Sequence, residues 1–319
     1  MMNQIVQIVL PVFGLIALGY GVAWSGLLRR ESGEALSDFV FVVAIPVLVF
    51  RTLAVAVFGG ASPWGLWIAY FSVFAVMWVL GSATIRRLFG RDARAGVVAG
   101  ISTAYGNTVL VGIPLSIAAY GDDGAVAMAL IIALHLPVMM TTSAILIVRA
   151  ERRDGVAHAE PGARALLRGL GLNLARNPLI IALVLGALWH VVGVPLAGLP
   201  RVMVDRIADV AATLALFAMG MSLRNYGIRG NIGAGLVLSV LKLLVMPALV
   251  FLVARYVIPV PPVWAKVAVV AAASPTGVNA YIVAARFRTG EALASNAITI
   301  STALAVLSTT LWMTVIEMI

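Results

Sequence analysis

Ser102-Thr103-Ala104-Tyr105-Gly106-Asn107-Thr108-Val109-Leu110-Val111-Gly112-Ile113-Pro114 lies inside an apolar segment running from about Ala93 to Tyr120. It sets a Gly, an Asn, a second Gly and a Pro where an uninterrupted membrane helix would carry Leu and Val. A proline removes one backbone donor and clashes with the carbonyl a turn earlier. In hydrocarbon, freed backbone groups are tolerated only where they are buried in protein or line a wet cavity. A broken helix at mid-depth is therefore a candidate binding site. The device recurs at Ala273-Ser274-Pro275-Thr276-Gly277-Val278-Asn279, within the segment from Trp264 to Phe287.

Composition places both breaks in a membrane protein. Of 319 residues, 62% are hydrophobic and 11% charged, whereas soluble domains carry about 25% charged residues. The mean hydropathy is +1.06. A net charge of +9 on a soluble protein would suggest nucleic acid; here the positive-inside rule is the simpler cause, and no nucleic-acid partner is expected. Cysteine is absent, which excludes disulfides, thiolate catalysis and Cys-ligated metals. His135, His158 and His190 have no paired-ligand spacing, so no metal site is expected. Met1 to Gln7 lacks a basic leader and reads as the start of the first span.

A span needs about 20 mainly apolar residues. Ten segments qualify: 5–24, 36–57, 65–85, 94–120, 124–149, 174–193, 206–223, 232–256, 264–287 and 291–316. A hydrophilic linker, 150–173, separates the repeats 1–149 and 174–319. Most Lys and Arg fall after the odd-numbered spans: Arg29 and Arg30; Arg86, Arg87, Arg91 and Arg94; Arg149, Arg152, Arg153, Arg164, Arg168 and Arg176; Arg224 and Arg229; Arg286 and Arg288. That side should face the cytoplasm, with both termini periplasmic in a bacterial inner membrane. Five spans per half is an odd number, so the second half sits inverted. The expected fold is thus an all-α polytopic membrane protein of two inverted five-helix repeats, with broken helices 4 and 9 crossing near the midplane.

At such a crossing, unpaired amides and positive helix-dipole ends favour an anion. Asn107 and Asn279 each add two donors and an acceptor. Ser102, Thr103, Thr108, Ser274 and Thr276 add hydroxyls for substrate or a sodium ion. Gly106, Gly112 and Gly277 allow close backbone approach, while Pro114 and Pro275 are expected to hold the breaks open. Every acidic residue lies in a loop or at a span end, which disfavours a cation site needing formal negative charge. Lys242 within a span is expensive; it either meets an anionic substrate or a carbonyl, or snorkels to the surface. His135 either relays protons or bonds a neighbouring helix. Arg51 reads as an interface anchor. ATP-binding, nucleophile-elbow, metalloprotease and dinucleotide motifs are missing, so no enzyme and no cofactor are expected, leaving sodium or proton coupling.

The two breaks resemble those of the auxin efflux carrier family in its short bacterial form. The likeness spans nearly the whole chain: Gly106-Asn107 with Gly112-x-Pro114, Ser274-Pro275 with Asn279-Ala280, and Leu216-Phe217-Ala218-Met219-Gly220-Met221-Ser222-Leu223. The resemblance implies a fold related to bile-acid/sodium symporters. It implies spans 4 and 9 crossing at their prolines, a mobile bundle of spans 3–5 and 8–10, a scaffold of spans 1, 2, 6 and 7, and homodimers. It implies elevator-type alternating access for a small carboxylate, auxin- or malonate-like, held by Asn107 and Asn279. The substrate-binding set is then Gly106, Asn107, Thr108, Pro114, Pro275, Thr276 and Asn279, with Thr103, Ser274, His135 and Lys242 as ion or coupling candidates. The rival readings are a sodium-coupled carrier of a bile-acid-like amphipath and a non-transporting membrane sensor.

Overall fold

The computed structural model describes residues 2–58, 61–156, 163–228 and 230–317. Met1, His158, Pro161, Gly162 and Arg229 lie outside these residues. Among the described residues the chain is helical, and the sole β-type pairing is an isolated antiparallel bridge between Gly106 and Thr276.

Helices α1 (Met2–Ser25), α2 (Arg30–Phe39), α3 (Ile45–Ala54) and α4 (Pro63–Leu88) come first. The first break follows α5 (Ala93–Ala104), and α6 (Ile113–Arg153) leaves it. Then come α7 (Ala163–Ala175), α8 (Pro178–Val192), α9 (Gly198–Leu223), α10 (Ile232–Val240) and α11 (Met246–Tyr256). The second break separates α12 (Pro262–Ala273) from α13 (Asn279–Arg286), and α14 (Glu291–Glu317) ends the described chain. Among the described residues, six runs are long and apolar enough to cross a membrane: Asn3–Ser25, Arg30–Ala54, Pro63–Leu88, Thr108–Arg153, Ile232–Tyr256 and Glu291–Glu317. Pro178–Val192 and Pro262–Ala273 are shorter apolar helices. The polytopic membrane class therefore stands.

The expected turn between the fourth and fifth spans is a kink within α6: two helical stretches meet at Gly121, whose φ of 58° and ψ of −138° only glycine adopts freely. Within the expected hydrophilic linker 150–173, α6 extends to Arg153 and α7 occupies residues 163–175. Leu166, Leu170 and Leu174 recur every fourth residue there, the spacing of one helical face.

Three prolines inside membrane runs share one local solution. Pro46, Pro114 and Pro247 are each preceded by a π-helical turn, at Val40–Ala44, Thr108–Gly112 and Leu241–Val245. A proline ring collides with the carbonyl four residues back. Widening the preceding turn moves that carbonyl aside. For Pro247 the displaced group is Leu243 O, which accepts from Ser308 Oγ at 2.6 Å and Trp312 Nε1 at 3.0 Å. The bulge is thus satisfied from α14.

The helices pack in two sets. In one, α1 runs along α9, and α3 along α8 and α9. Gly19 and Gly220 meet at the α1–α9 crossing: a Cβ on Gly220 would strike Ile16 O, and one on Gly19 would strike Phe217 O. Arg51 reaches across from α3 to Asp205 at 3.2 Å and Asp209 at 2.7 Å, and Arg201 holds Asp205 at 2.6 Å. In the other set, α4 lies on α5, α10 on α14, α11 on α12 and α4, and α12 on α6.

Candidate functional site

The two breaks meet. After α5 the chain is extended at Tyr105 (φ −94°, ψ 114°). After α12 it is extended at Ser274 (φ −60°, ψ 144°), as expected of a residue before proline. The two extended stretches run antiparallel and pair: Asn107 N–H donates to Pro275 O at 2.7 Å, and Gly277 N–H to Tyr105 O at 3.0 Å. Each break therefore satisfies backbone groups that the other has freed, which permits two interruptions in an apolar interior. Glycine at 106 allows this close approach: a Cβ there would sit 3.1 Å from both Ala271 O and Lys242 Nζ, a tight contact.

Side chains finish the ends. Thr276 N–H donates to Ser301 Oγ at 2.9 Å, and Thr276 Oγ1 donates to Ser102 O at 2.8 Å. Lys242 is fully buried, with Nζ donating to Ala272 O at 2.7 Å and lying 3.2 Å from Met246 Sδ. Its ammonium thus sits on the carbonyl end of α12, the negative pole of that half-helix. Of the sequence readings of Lys242, the carbonyl contact is observed and snorkelling is not. Thr103 Oγ1 faces the carbonyls of Met77, Ala99 and Gly100 at 3.0–3.1 Å, and Ser274 Oγ donates to Val270 O at 3.1 Å.

Beside the crossing lies a cavity of about 310 Å³. It is lined by Tyr105, Gly106, Asn107, Thr108 and Val109 from the first break, and by Gly277, Val278, Asn279 and Ile282 from the second. Ile132, His135 and Leu136 of α6, Phe41 and Val42, and Asn177, Pro178 and Leu179 at the start of α8 complete it. Three helical segments begin at its wall, at Thr108, Pro178 and Asn279. These starts bring positive dipole ends to the walls, while most of their opening amides are already paired, those of Ala280, Tyr281 and Ile282 with the Gly277 and Val278 carbonyls. Asn107 Oδ1 caps Leu110 N–H at 3.3 Å while Nδ2 approaches Met219 Sδ at 3.2 Å. Asn177 Oδ1 caps Leu179 and Ile180 at 2.9 and 3.3 Å.

One polar chain links the walls. Asn279 Nδ2 donates to Tyr105 Oη at 2.9 Å. The Tyr105 ring stacks on His135, with centroids 4.3 Å apart and planes at 32°. His135 Nδ1 lies 3.0 Å from Thr108 Oγ1. Tyr70, Phe71 and Phe74 surround the imidazole, whose buried Nε2 has no hydrogen-bond partner among the described residues. Among the described residues, no carboxylate, Lys or Arg lines this cavity.

The structure thus gathers Gly106, Asn107, Thr108, His135 and Asn279 around one space, and leaves Thr103, Pro114, Ser274, Pro275, Thr276 and Lys242 outside its lining. Pro114 is also not at the break, which ends at Asn107; it lies in the first turn of α6 behind its π-turn. Sequence reading passed over Tyr105, Asn177 and Met219. Asn177-Pro178 carries the signature of a helix start, an Asn cap before a first-turn proline, but nothing local says which cavity that start faces.

Residues 4–313 match the family described as membrane transport protein. The chain belongs to that family. A protein of Rhizobium meliloti (strain 1021), provisionally named a malonate transporter, is 29% identical over 97% of this chain and 95% of its own length. An uncharacterised transporter of Methanothermobacter thermautotrophicus is 25% identical over 97% of this chain and 98% of its own. The likeness to the short bacterial auxin-efflux-type carriers is accordingly a family relationship, and the chain is a membrane transporter, not an enzyme.

Proposed function

We propose that this transporter carries a small organic anion, a mono- or dicarboxylate of auxin or malonate type, by secondary alternating access at the crossing. The observation that carries the reading is the Asn107–Pro275 and Gly277–Tyr105 pairing, which brings the starts of two half-helices to one cavity wall. An anion there meets neutral donors and dipole ends, without a fixed positive charge that would hold it too tightly to release. The carboxamides of Asn107 and Asn279 and the imidazole of His135 supply the specific contacts. A cavity near 310 Å³ is at the small end of the roughly 300–1,000 Å³ usual for ligand sites, which favours a short carboxylate over a bile-acid-like amphipath.

Alternating access is proposed as elevator-type motion. The set α4, α5, α6 and α10 to α14 moves against the scaffold α1, α2, α3, α8 and α9, within a homodimer in a bacterial inner membrane with periplasmic termini. Support comes from the packing, which is heaviest within each set, and from the cavity lying where the π-turn between α2 and α3 and the start of α8 face both breaks of the other set. Coupling to protons through His135 is part of the proposal, because His135 lines the cavity, its buried Nε2 has no hydrogen-bond partner among the described residues, and no carboxylate is in the described lining.

The test is uptake of labelled malonate, succinate and indole-acetate into proteoliposomes under imposed proton, sodium or potential gradients. Saturable uptake of a small carboxylate, driven by a proton gradient and abolished in Asn107→Ala, is expected. Counterflow for no anion would sink the carrier reading and favour a sensor. Dependence on sodium alone would overturn proton coupling.

A further inference from the structure

A second cavity of about 730 Å³ lies between the ends of α4 and α6 and the start of α5, away from the crossing. Arg86 and Arg87 from α4, Arg91 from the turn, and Arg149 and Arg153 from α6 line it. None of these five guanidinium groups is in an ion pair or hydrogen bond among the described residues. The nearby carboxylates are engaged elsewhere. Asp154 caps the Ala93 and Arg94 amides at 3.0 and 2.9 Å, and Asp92 caps Ala95 at 2.8 Å. Glu151, between the α6 arginines, offsets one charge at most. Arg149 and Arg153 stand one turn apart on α6, a like-charge spacing that is unfavourable without a counter-ion. Arg86 is held in place: its stem lies on Gly96, where a Cβ would come 2.7 Å from Arg86 Cδ.

We infer that this cavity binds the phosphate headgroup of an anionic phospholipid, with an acyl chain lying along α4. Guanidinium forks match phosphate oxygens in bidentate fashion, and basic pockets between membrane helices are a recognised setting for acidic headgroups. A free phosphate would meet the same chemistry. The lipid source is favoured by the face of α4 beneath the arginines. Val76 and Val79 are 55% and 69% exposed, and positions 76, 79, 83 and 86 fall on one helix face. An apolar, outward-facing track thus leads directly to the guanidiniums, which suits a molecule with a charged head and a hydrocarbon tail.

The experiment is native mass spectrometry and thermal melting of the purified full chain with phosphatidylglycerol, phosphatidylcholine or inorganic phosphate. The wild type should retain phosphatidylglycerol preferentially, with a raised melting temperature that falls with added salt. At about fivefold per guanidinium, R149Q/R153Q should bind it roughly 25-fold more weakly. Its melt in phosphatidylcholine reports folding, and Arg87→Gln, on the exposed surface, is the second variant. Arg255→Gln, outside this cavity, should bind as wild type does. Equal retention of both lipids, or unchanged affinity in either cavity variant, would overturn the inference. So would inorganic phosphate alone reproducing the thermal shift.

Discussion

At the crossing, each residue can be asked what it touches. Asn107 has three jobs: its N–H closes the bridge to Pro275, its Oδ1 caps Leu110, and its side chain lines the cavity. Asn107→Ala keeps the first and loses the others. A lost cap costs about 1 kcal/mol, so the protein should still accumulate while transport is lost; near-normal uptake would remove Asn107 from the site. Tyr105→Phe leaves Asn279 Nδ2 without its partner. Transport should fall severalfold with little change in melting, and an unchanged KM and turnover would show that this bond does not shape the site. Lys242→Met sets two effects against each other. It leaves the Ala272 carbonyl unpartnered, at about 1–3 kcal/mol. It also removes a buried charge compensated by one carbonyl and one sulfur, which is itself costly. The melt should stay within a few degrees while transport drops, because the pole of α12 is no longer balanced at the crossing; intact transport would make Lys242 a packing residue only.

At the level of elements, helices are broken, widened or brought close by single residue types. Pro275→Ala removes the bias that keeps Ser274 extended. The α12 helix can then reach past residue 273 and withdraw the Pro275 carbonyl from Asn107. Uptake should be impaired, and kinetics matching wild type would count against the break as a working part. Gly220→Val puts a side chain where Ile16 O already is. Overpacking of this kind costs about 1–3 kcal/mol, so melting should fall, and a wild-type melt would show that α1 and α9 separate easily. Much of this was legible in advance. Both breaks and most helix positions follow from apolar runs punctuated by Gly, Asn and Pro. The role of Pro114 was not: proline inside a helix can open it or widen the preceding turn, and which occurs depends on whether a neighbour can take the displaced carbonyl.

Over the whole molecule, surface electrostatics tie distant segments. Asp154, just past α6, fastens the start of α5 through two amides and Arg94. Burial raises its pKa, but the Ala93 and Arg94 amides and the Arg94 charge outweigh that and hold the carboxyl below the usual carboxylate range. A carboxyl depressed on folding contributes stability that is present above its unfolded pKa, near 4, and is lost as pH falls through the lower folded value. The wild-type melt should therefore drop on acidification below about pH 4, and Asp154→Asn should lower the neutral-pH melt and flatten that acid limb. An equally steep limb in the variant would assign the loss to other groups.

The chain's letters alone determined the solvent and the punctuation. Mean hydropathy, the scarcity of charge and the confinement of acids to span ends dictate a membrane protein. Proline, glycine and asparagine within two apolar runs dictate interruptions there, because those constraints act on the residue and its own turn. Only the tertiary structure decided that the interruptions pair with each other, that Lys242 faces a carbonyl, that Tyr105 joins Asn279 to His135, and that Asn177 faces the same cavity. Each of these contacts joins residues tens to hundreds of positions apart. Hydrogen bonds reach only about 3 Å, so no local pattern encodes their partners until packing has brought the helices together.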